Sequence, residues 1–423
     1  MDESTLEFTR NCWPYSFSAG LDLIIMSDKQ IIDSNPLLRE ANTMVPVYGQ
    51  LSFIPEKAIG CDIYTDDGRC ILDLYGGHAV AALGYSHPKQ VKVIKEQCSK
   101  LLFQSNAVAL DIRAKAAEKL VSITPKELTR VFFVNSGAEA NENALRMACM
   151  ATGRKKILAI THGFHGRTAA AAAITWNADR WYGFKEKPFE VDFIARDDVS
   201  AAKAMINDDI AAVIFEPVQG VAGGYDLSTQ FIQALRKLTK IHGALLIADE
   251  VQSGMGRCGK FFAVDVHEVA PDILTSAKSL GGGIPCGAVL CSEAVASFFR
   301  NGDLGTTFGG GPLAAASIVA TIDIIKEENL LDNVCRAEKA IRNTCVTGPI
   351  TKIQGKGLLL GLICDRPAVE VRNALLEQNI LTGTSSDPNI IRILAPLILK
   401  SEQIDNLARA LKNIAPIKKL RKA

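Results

Sequence analysis

The sequence is short of the features that mark several protein classes. Its eleven cysteines are an odd number with no Cys-x-x-Cys pair, and the closest spacing is Cys286 with Cys291 around a strand-like Ala-Val-Leu. That pattern fits neither a disulfide scaffold nor a zinc framework. The six histidines show no His-Glu-x-x-His spacing, so no metal is expected. No uncharged apolar stretch reaches the roughly 20 residues that cross a bilayer. The opening MDESTLEFTR is acidic and has no apolar leader core, which makes the cytoplasm the expected location. Net charge is only +1, from 47 basic and 46 acidic side chains, so nothing draws the chain toward nucleic acid or a membrane surface. No 20- to 50-residue repeat and no low-complexity linker occurs. Gly-x-Gly-x-x-Gly after a first strand and Gly-x4-Gly-Lys-Ser/Thr are both missing, which leaves a nucleotide site with little support.

What is present is an ordinary globular composition, 48% hydrophobic and 22% charged, in 423 residues. That length exceeds the roughly 250–300 residues at which single cores stop growing, so two or more domains are expected. The organising stretch runs from Ala244 to Gly283. Two apolar runs there, ALLIA and VAPDILTSA, are short and bounded, as strands buried on both faces of a parallel sheet would be. The first ends in Asp249 and Glu250, the second in Lys278 before three glycines. In open parallel sheets the ligand crevice lies outside the carboxyl ends of the strands, so an acid and an amine would face one place. Alone, a lysine after a strand reads as a solvated loop residue. Beside a carboxylate and an anion site, it reads as a desolvated amine able to form a Schiff base with the aldehyde of pyridoxal phosphate, whose ring nitrogen needs an acid partner.

Along the chain, SNPLLREANTM is helix-like, with Ser34 or Asn35 as cap and Pro36 in the first position; Met26 and Met44 are alternative starts. IGCDIYTDDGRCILDLYGG alternates about an Asp-Asp-Gly turn, which predicts a hairpin. HPKQVKVIKEQCSKL and LDIRAKAAEKLVSI have helical period. RVFFVNSGAEANENALRMACMATG reads as a strand, then Asn135-Ser136-Gly137-Ala138, then a helix, which is the arrangement of an anion site; plain connections share it. The loop after KKILAI holds His162, Phe164, His165 and Arg167. Phe164 suits the face of an aromatic ring or core packing, and Arg167 suits a carboxylate. IAAVIFEPVQGVAGGY leads a strand into Glu216 and a glycine-rich loop. Thr306 and Thr307 lie in a later loop, where their hydroxyls suit either a phosphate or a turn. A helix from Pro312 reads as a bridge between domains. Arg392, in an apolar strand, needs an acidic partner, either a substrate carboxylate or a structural ion pair. The basic end KKLRKA reads as a frayed helix tail.

Together VFFVNSGAEANENA, HGFHGRT, FEPVQG, LLIADEVQSGMGR, PDILTSAKSLGGGIPCGA and GTTFGGGPLAAA resemble the class III pyridoxal phosphate-dependent aminotransferases, nearest the acetylornithine and ornithine aminotransferase branch. The resemblance runs from about Val47 to the C-terminus. It implies the type I pyridoxal phosphate-dependent fold, an α/β protein with a large, mostly parallel-sheet domain and a smaller α+β domain, in an obligate homodimer. It also implies that Lys278 carries the cofactor and, once released, shuttles a proton. Asp249 would pair with the pyridine nitrogen, Gln252 with the ring oxygen, and Phe164 would stack on the ring. Ser136, Gly137 and Ala138 would bind the phosphate, and Thr307 would reach it from the other subunit. Arg167, with Thr306 beside it, would bind a substrate carboxylate, and Arg392 would hold the α-carboxylate of glutamate or 2-oxoglutarate.

Two departures bear on substrate. The branch usually reads EPVQGE, its last glutamate a movable partner for the arginine here numbered Arg392; this chain has Val221. His78 stands where acetylornithine enzymes tend to be aliphatic and ornithine enzymes have tyrosine, so it either contacts the substrate tail or packs. The expected division is 1–45, an N-terminal extension without an assigned role; 46–98, packing with the small domain; 99–311, the cofactor-binding domain; and 312–423, linking helix and small domain. The leading activity is transfer of a terminal amino group to 2-oxoglutarate, giving glutamate, with N-acetylornithine as donor in arginine biosynthesis. The alternatives are a broader ω-amino acid transaminase acting on compounds such as 4-aminobutyrate, then an aminomutase. A cofactor-free scaffold would not need both Lys278 and Asp249.

Overall fold

The computed structural model describes residues 35–414; Ser34, Met26 and the basic end 418–423 lie outside the described residues. The chain divides into two compact units, Met1–Ile54 and Pro55–Ala423. In the first, helix Pro36–Thr43 begins at a proline and is capped by Asn35, whose side-chain oxygen accepts from the Leu37 N–H at 2.9 Å. Among the described residues no helix is long and apolar enough to cross a membrane.

The second unit opens with an antiparallel ribbon, β1 (Pro55–Ile59), β2 (Asp62–Thr65) and β3 (Cys70–Asp73). The expected Asp-Asp-Gly turn joins β2 to β3, and Gly68 takes the positive φ (81°) that closes it. Then come β4 (Leu128–Val134), β5 (Lys156–Ile160), β6 (Glu190–Ile194), β7 (Ile210–Phe215), the short pair β8 (Val218–Gln219) and β9 (Tyr225–Asp226), β10 (Leu245–Asp249), β11 (Ile273–Ser276) and β12 (Gly287–Ser292). Seven of these form one sheet in the order β4-β12-β11-β10-β7-β5-β6, in which β12 alone runs antiparallel to its neighbours.

Strict alternation sorts this sheet's side chains into two cores. Leu158, Val213, Phe215, Leu246, Ala248 and Leu274 face one; Ile157, Ala159, Ala212, Ile214, Ile247 and Ile273 face the other. The first is covered by helices Asp111–Val121, Thr229–His242 and Pro312–Glu327, the second by Gly137–Thr152. Because both faces are roofed, a strand such as β7 is buried at every position and reads as a continuous apolar run. Helix Pro312–Glu327 packs on Pro88–Lys100, on Asp111–Val121 and on the turn that carries Lys278.

A second, antiparallel sheet, β13-β14-β17-β16, is formed by β13 (Ile350–Lys356), β14 (Leu359–Cys364), β16 (Gly383–Thr384) and β17 (Ile390–Ile393). β15 (Ile380–Leu381) instead pairs in parallel with β3, tying the ribbon to the C-terminal part of the chain. The α/β class expected from the sequence is the one observed, with the C-terminal α+β portion set on its own sheet.

One buried acid acts as a staple. The Glu250 carboxylate, 1% exposed, accepts from Ser253 Oγ and from the Val264 N–H at 2.7 Å. Burial pushes its pKa up to about 7, against the pull of those donors. The unfolded chain ionises this group near pH 4.5, so between there and about pH 7 the folded state holds more protons, and stability falls as pH rises through that window. Glu250→Gln keeps both hydrogen bonds and removes the ionisation. Its stability relative to wild type, measured by urea unfolding, is expected to improve from pH 5 to pH 8.5 by an amount on the order of 3 kcal/mol.

Candidate active site

The ends of β4, β5, β7, β10 and β11 deliver their loops to one edge of the large sheet, where the chain's buried charges collect. Asp249, the last residue of β10, is 3% exposed. Its Oδ2 accepts from Asn141 Nδ2 and is paired with His165 Nδ1, each at 2.7 Å; its Oδ1 accepts from the Val251 N–H at 3.0 Å. Asn141 also donates to the His165 carbonyl at 2.8 Å, and its oxygen accepts from Thr275 Oγ1 at 2.6 Å. Burial alone would lower the His165 pKa, but the hydrogen bond and charge of Asp249 hold it above the ordinary histidine range. The two side chains therefore hold each other in place through one short buried hydrogen bond.

Lys278 follows β11 on the adjacent strand. It is half-buried and opens a 3-10 turn with φ 46°, a left-handed conformation that is costly for a side chain with a Cβ and that concentrates at working sites. Burial lowers its pKa; Asp249 and Glu216 pull the other way, while Arg392 and Arg257 add to the lowering. Glu216, just beyond β7, accepts from the Phe164 N–H at 2.9 Å and the Gly220 N–H at 3.3 Å. Burial and the neighbouring Asp249 raise its pKa to about 7, with His165 opposing.

Ser136 caps helix Gly137–Thr152, its Oγ accepting from the Glu139 N–H at 3.1 Å, while Glu139 accepts from the Asn135 N–H at 2.8 Å. A Cβ at Gly137 would lie 2.6 Å from Val251 Cγ1, so only glycine lets this turn sit against the Asp249 loop. Thr306 is hydrogen-bonded to the same turn, its Oγ1 accepting from Asn135 Nδ2 at 3.2 Å and from the Gly309 N–H at 3.1 Å. Thr307 beside it is exposed. Gln252 is buried against Gly220, where any Cβ would collide with its amide oxygen, and that oxygen has no partner. Ser276 Oγ and His165 Nε2 are likewise buried and unpartnered.

Phe164 is half-buried, with the Arg167 guanidinium 5.5 Å from its ring centroid and 5.8 Å from that of Trp181. Arg392, on β17, is 7% exposed and makes no ion pair among the described residues. The acidic partner expected from its burial is replaced by neutral acceptors: the Thr384 carbonyl at 2.7 Å, the Gly220 carbonyl at 3.2 Å and the Tyr75 hydroxyl at 2.7 Å. Tyr75 OH in turn contacts His78 Nδ1 at 2.9 Å. Burial and the charges of Arg392, Lys278 and Arg167 lower the His78 pKa, which puts these four residues in one electrostatic field.

Thus Lys278, Asp249, Arg392, Arg167 and His78 share the site, Phe164 and Gln252 line it, and Ser136, Gly137, Ala138 and Thr306 form its turn. Asn141, His165, Glu216 and Tyr75 were not assigned roles from the sequence. Glu216 had a usable signal, since it closes an apolar strand as Asp249 does; Asn141 lies mid-helix and had none.

An amine, a buried carboxylate and a helix-start turn suited to an anion meet at one sheet edge. The Aminotransferase class-III family model matches residues 44–415. The acetylornithine aminotransferase of Methanopyrus kandleri is 40% identical over 349 residues, covering 82% of this chain and 90% of that protein. The [LysW]-aminoadipate semialdehyde transaminase of Deinococcus radiodurans is 35% identical, covering 88% of each. Among solved structures, the ornithine aminotransferase of Toxoplasma gondii, with partial occupancy of PLP at its active site, superposes with a TM-score of 0.83 at 26% identity, covering 89% of this chain and 94% of that one. The chain belongs to the class III aminotransferases and is an enzyme of that family.

The Asp249–His165 pair carries its own prediction. In wild type the His165 imidazole keeps its proton to a higher pH than free histidine. In Asp249→Asn only the charge of Glu216 still opposes the burial cost, so the proton is expected to leave at a lower pH than in wild type, as nitrogen-detected NMR would read.

Proposed function

We propose that this enzyme is a pyridoxal phosphate-dependent aminotransferase that moves a terminal amino group to 2-oxoglutarate, giving glutamate, with N-acetylornithine as donor and arginine biosynthesis as its setting. The observation that carries the reading is the placement of Lys278 and Asp249 at the carboxyl ends of adjacent parallel strands, beside the Ser136–Ala138 turn. The residues fit the cofactor. Gln252 offers a buried oxygen without a partner, and the helix start offers free N–H groups where glycine alone permits close approach. When bound, pyridoxal phosphate supplies an aldehyde for the amine and a ring that accepts the electron pair released at the substrate carbon.

This chain's residues do the rest. Lys278 would hold the cofactor, and its burial favours the neutral amine that takes a proton at Nζ and returns it. Asp249, held in place by His165 and Asn141, would hold a protonated ring nitrogen; Phe164 would cover one face of the ring, and Ser136, Gly137 and Ala138 the phosphate. Arg392 and Arg167 would bind substrate carboxylates, with Thr306 beside Arg167. Val221 and His78 leave the broader ω-amino acid transaminase reading open, and the name of the Deinococcus relative shows that family members differ in donor. An aminomutase would make no glutamate.

A second copy of the chain completes the proposal. Leu102, Phe103, Val108 and Phe308 are 62%, 43%, 46% and 65% exposed, and the Phe103 and Phe308 rings pack at 5.2 Å. These residues adjoin Thr306 and Thr307, so an apolar face beside the site would be covered by the partner, and Thr307 would reach the partner's phosphate. The working division is a ribbon segment 46–98, a cofactor-binding part 99–311 and a C-terminal part 312–423, in a cytoplasmic enzyme.

The deciding experiment is a half-reaction titration of the cofactor-loaded enzyme with N-acetylornithine, ornithine and 4-aminobutyrate, following the visible absorbance of the bound cofactor. N-acetylornithine should react fastest; a faster 4-aminobutyrate reaction would replace the donor and keep the chemistry. Lys278→Ala is expected to abolish turnover while leaving the sedimentation coefficient unchanged, and full activity in it would remove Lys278 from the mechanism. Phe308→Asp is expected to shift the sedimentation coefficient toward monomer and lower activity with it.

A further inference from the structure

Arg392 is held by three kinds of acceptor, and only one of them can leave. The Thr384 and Gly220 carbonyls are main-chain groups, fixed by β16 and by the loop after β8. The Tyr75 hydroxyl is a side-chain tip, reached by Nη2 at 2.7 Å, and the guanidinium lies 5.4 Å from the Tyr75 ring centroid. Tyr75 is locked in place from behind: any Cβ at Gly383 would collide with its ring. Its N–H is also bonded to Asp73 Oδ1 at 2.6 Å. Beyond it, the exposed His78 accepts at Nδ1 over 2.9 Å, with its ring centroid 4.7 Å from that of Tyr75. His78 itself sits at φ 63°, in a left-handed run with Gly76 and Gly77 that turns its ring toward the hydroxyl.

The order of donors follows from charge. Arg392 has no acceptor atom, so Nη2 donates to the Tyr75 oxygen, which leaves the phenol O–H to donate to His78 Nδ1. A carboxylate entering the site offers Nη2 an anionic acceptor that can also bind the guanidinium fork in two places, whereas the phenol offers one neutral oxygen. The tyrosine is therefore the partner an anion displaces. When a substrate brings only an amine and an apolar stem to this spot, the same hydroxyl keeps a buried guanidinium N–H from going unpaired, a loss worth more than the bond itself.

We propose that Tyr75 and His78 form a neutral gate on Arg392, closed for ω-amine donors and displaced by the α-carboxylate of dicarboxylates, and that this pair sets the enzyme's substrate selectivity in place of a carboxylate. The proposal rests on Arg392 being the carboxylate-binding residue of the reading above. Val221, next to the Gly220 carbonyl that Arg392 uses, is the position from which a carboxylate would take over the role.

The test uses the cofactor-loaded enzyme and glutarate, a dicarboxylate with neither amine nor keto group, so its affinity by isothermal titration calorimetry reads the gate without turnover. Tyr75→Phe removes the competing acceptor and keeps the ring against Gly383. It should bind glutarate about fivefold tighter than wild type, and His78→Ala should move in the same direction by less. In half-reactions, Tyr75→Phe should lower kcat/KM for the ω-amine donor relative to that for glutamate by about tenfold, and Val221→Glu in that background should restore the donor side. General damage would weaken glutarate, so tightening isolates the gate. Unchanged or weaker glutarate binding in Tyr75→Phe, with an unchanged donor-to-glutamate ratio, overturns the gate while leaving Arg392 in its role. Wild type that binds no glutarate, with Arg392→Ala unaltered toward glutamate, overturns the role of Arg392 itself and the gate with it.

Discussion

The carboxylate of Asp249 is held almost out of contact with water, and the rest of the site is arranged around satisfying its oxygens. An isolated carboxylate in such a place would take up a proton rather than stay ionised. Here a histidine, an asparagine amide and a backbone N–H converge on it. Each donor comes from a different element: Asn141 from the helix after β4, His165 from the loop after β5, and Val251 from the turn after β10. Satisfying one charge therefore pins three loops to the sheet edge. The Thr275 hydroxyl extends the network to β11, one turn before Lys278. Partly satisfied, such a network would be the weakest part of the fold; complete, it fixes the geometry of the working face.

The remaining charges are set by distance from that anion and by burial. Lys278 loses part of its affinity for the proton to burial, while Asp249 and Glu216 limit the loss. Burial, helped by the neighbouring Asp249 and opposed by His165, raises the Glu216 pKa to about 7. Arg392 makes no ion pair among the described residues, although Glu216 lies close enough to act on its charge, and its hydrogen-bond partners are two main-chain carbonyls and a hydroxyl.

Much of this was legible along the chain. Apolar runs that end in an acid or a lysine mark strands buried on both faces, and β7, β10 and β11 are such strands. The start of helix Gly137–Thr152 was marked by the Asn135-Ser136-Gly137-Ala138 turn, and the ribbon turn by Asp-Asp-Gly. The signal failed where a residue's neighbours are distant in sequence. Asn141 lies 108 residues from the acid it serves, on a helix face that looks merely polar. Tyr75 lies 317 residues from Arg392. The antiparallel direction of β12 had no local sign either, because a fully buried strand has the same composition in both directions.

The sequence by itself determined the α/β class, the order of strands and helices, and the presence of a lysine and an acid at strand ends, because hydrophobic period, caps and turn residues act over a few neighbours. Only the tertiary structure decided what those groups are chemically. Which acid stays ionised, which amine is depressed, and which acceptor faces Arg392 depend on burial and on partners from remote segments. Those are properties of packing, and no single stretch of the chain contains them.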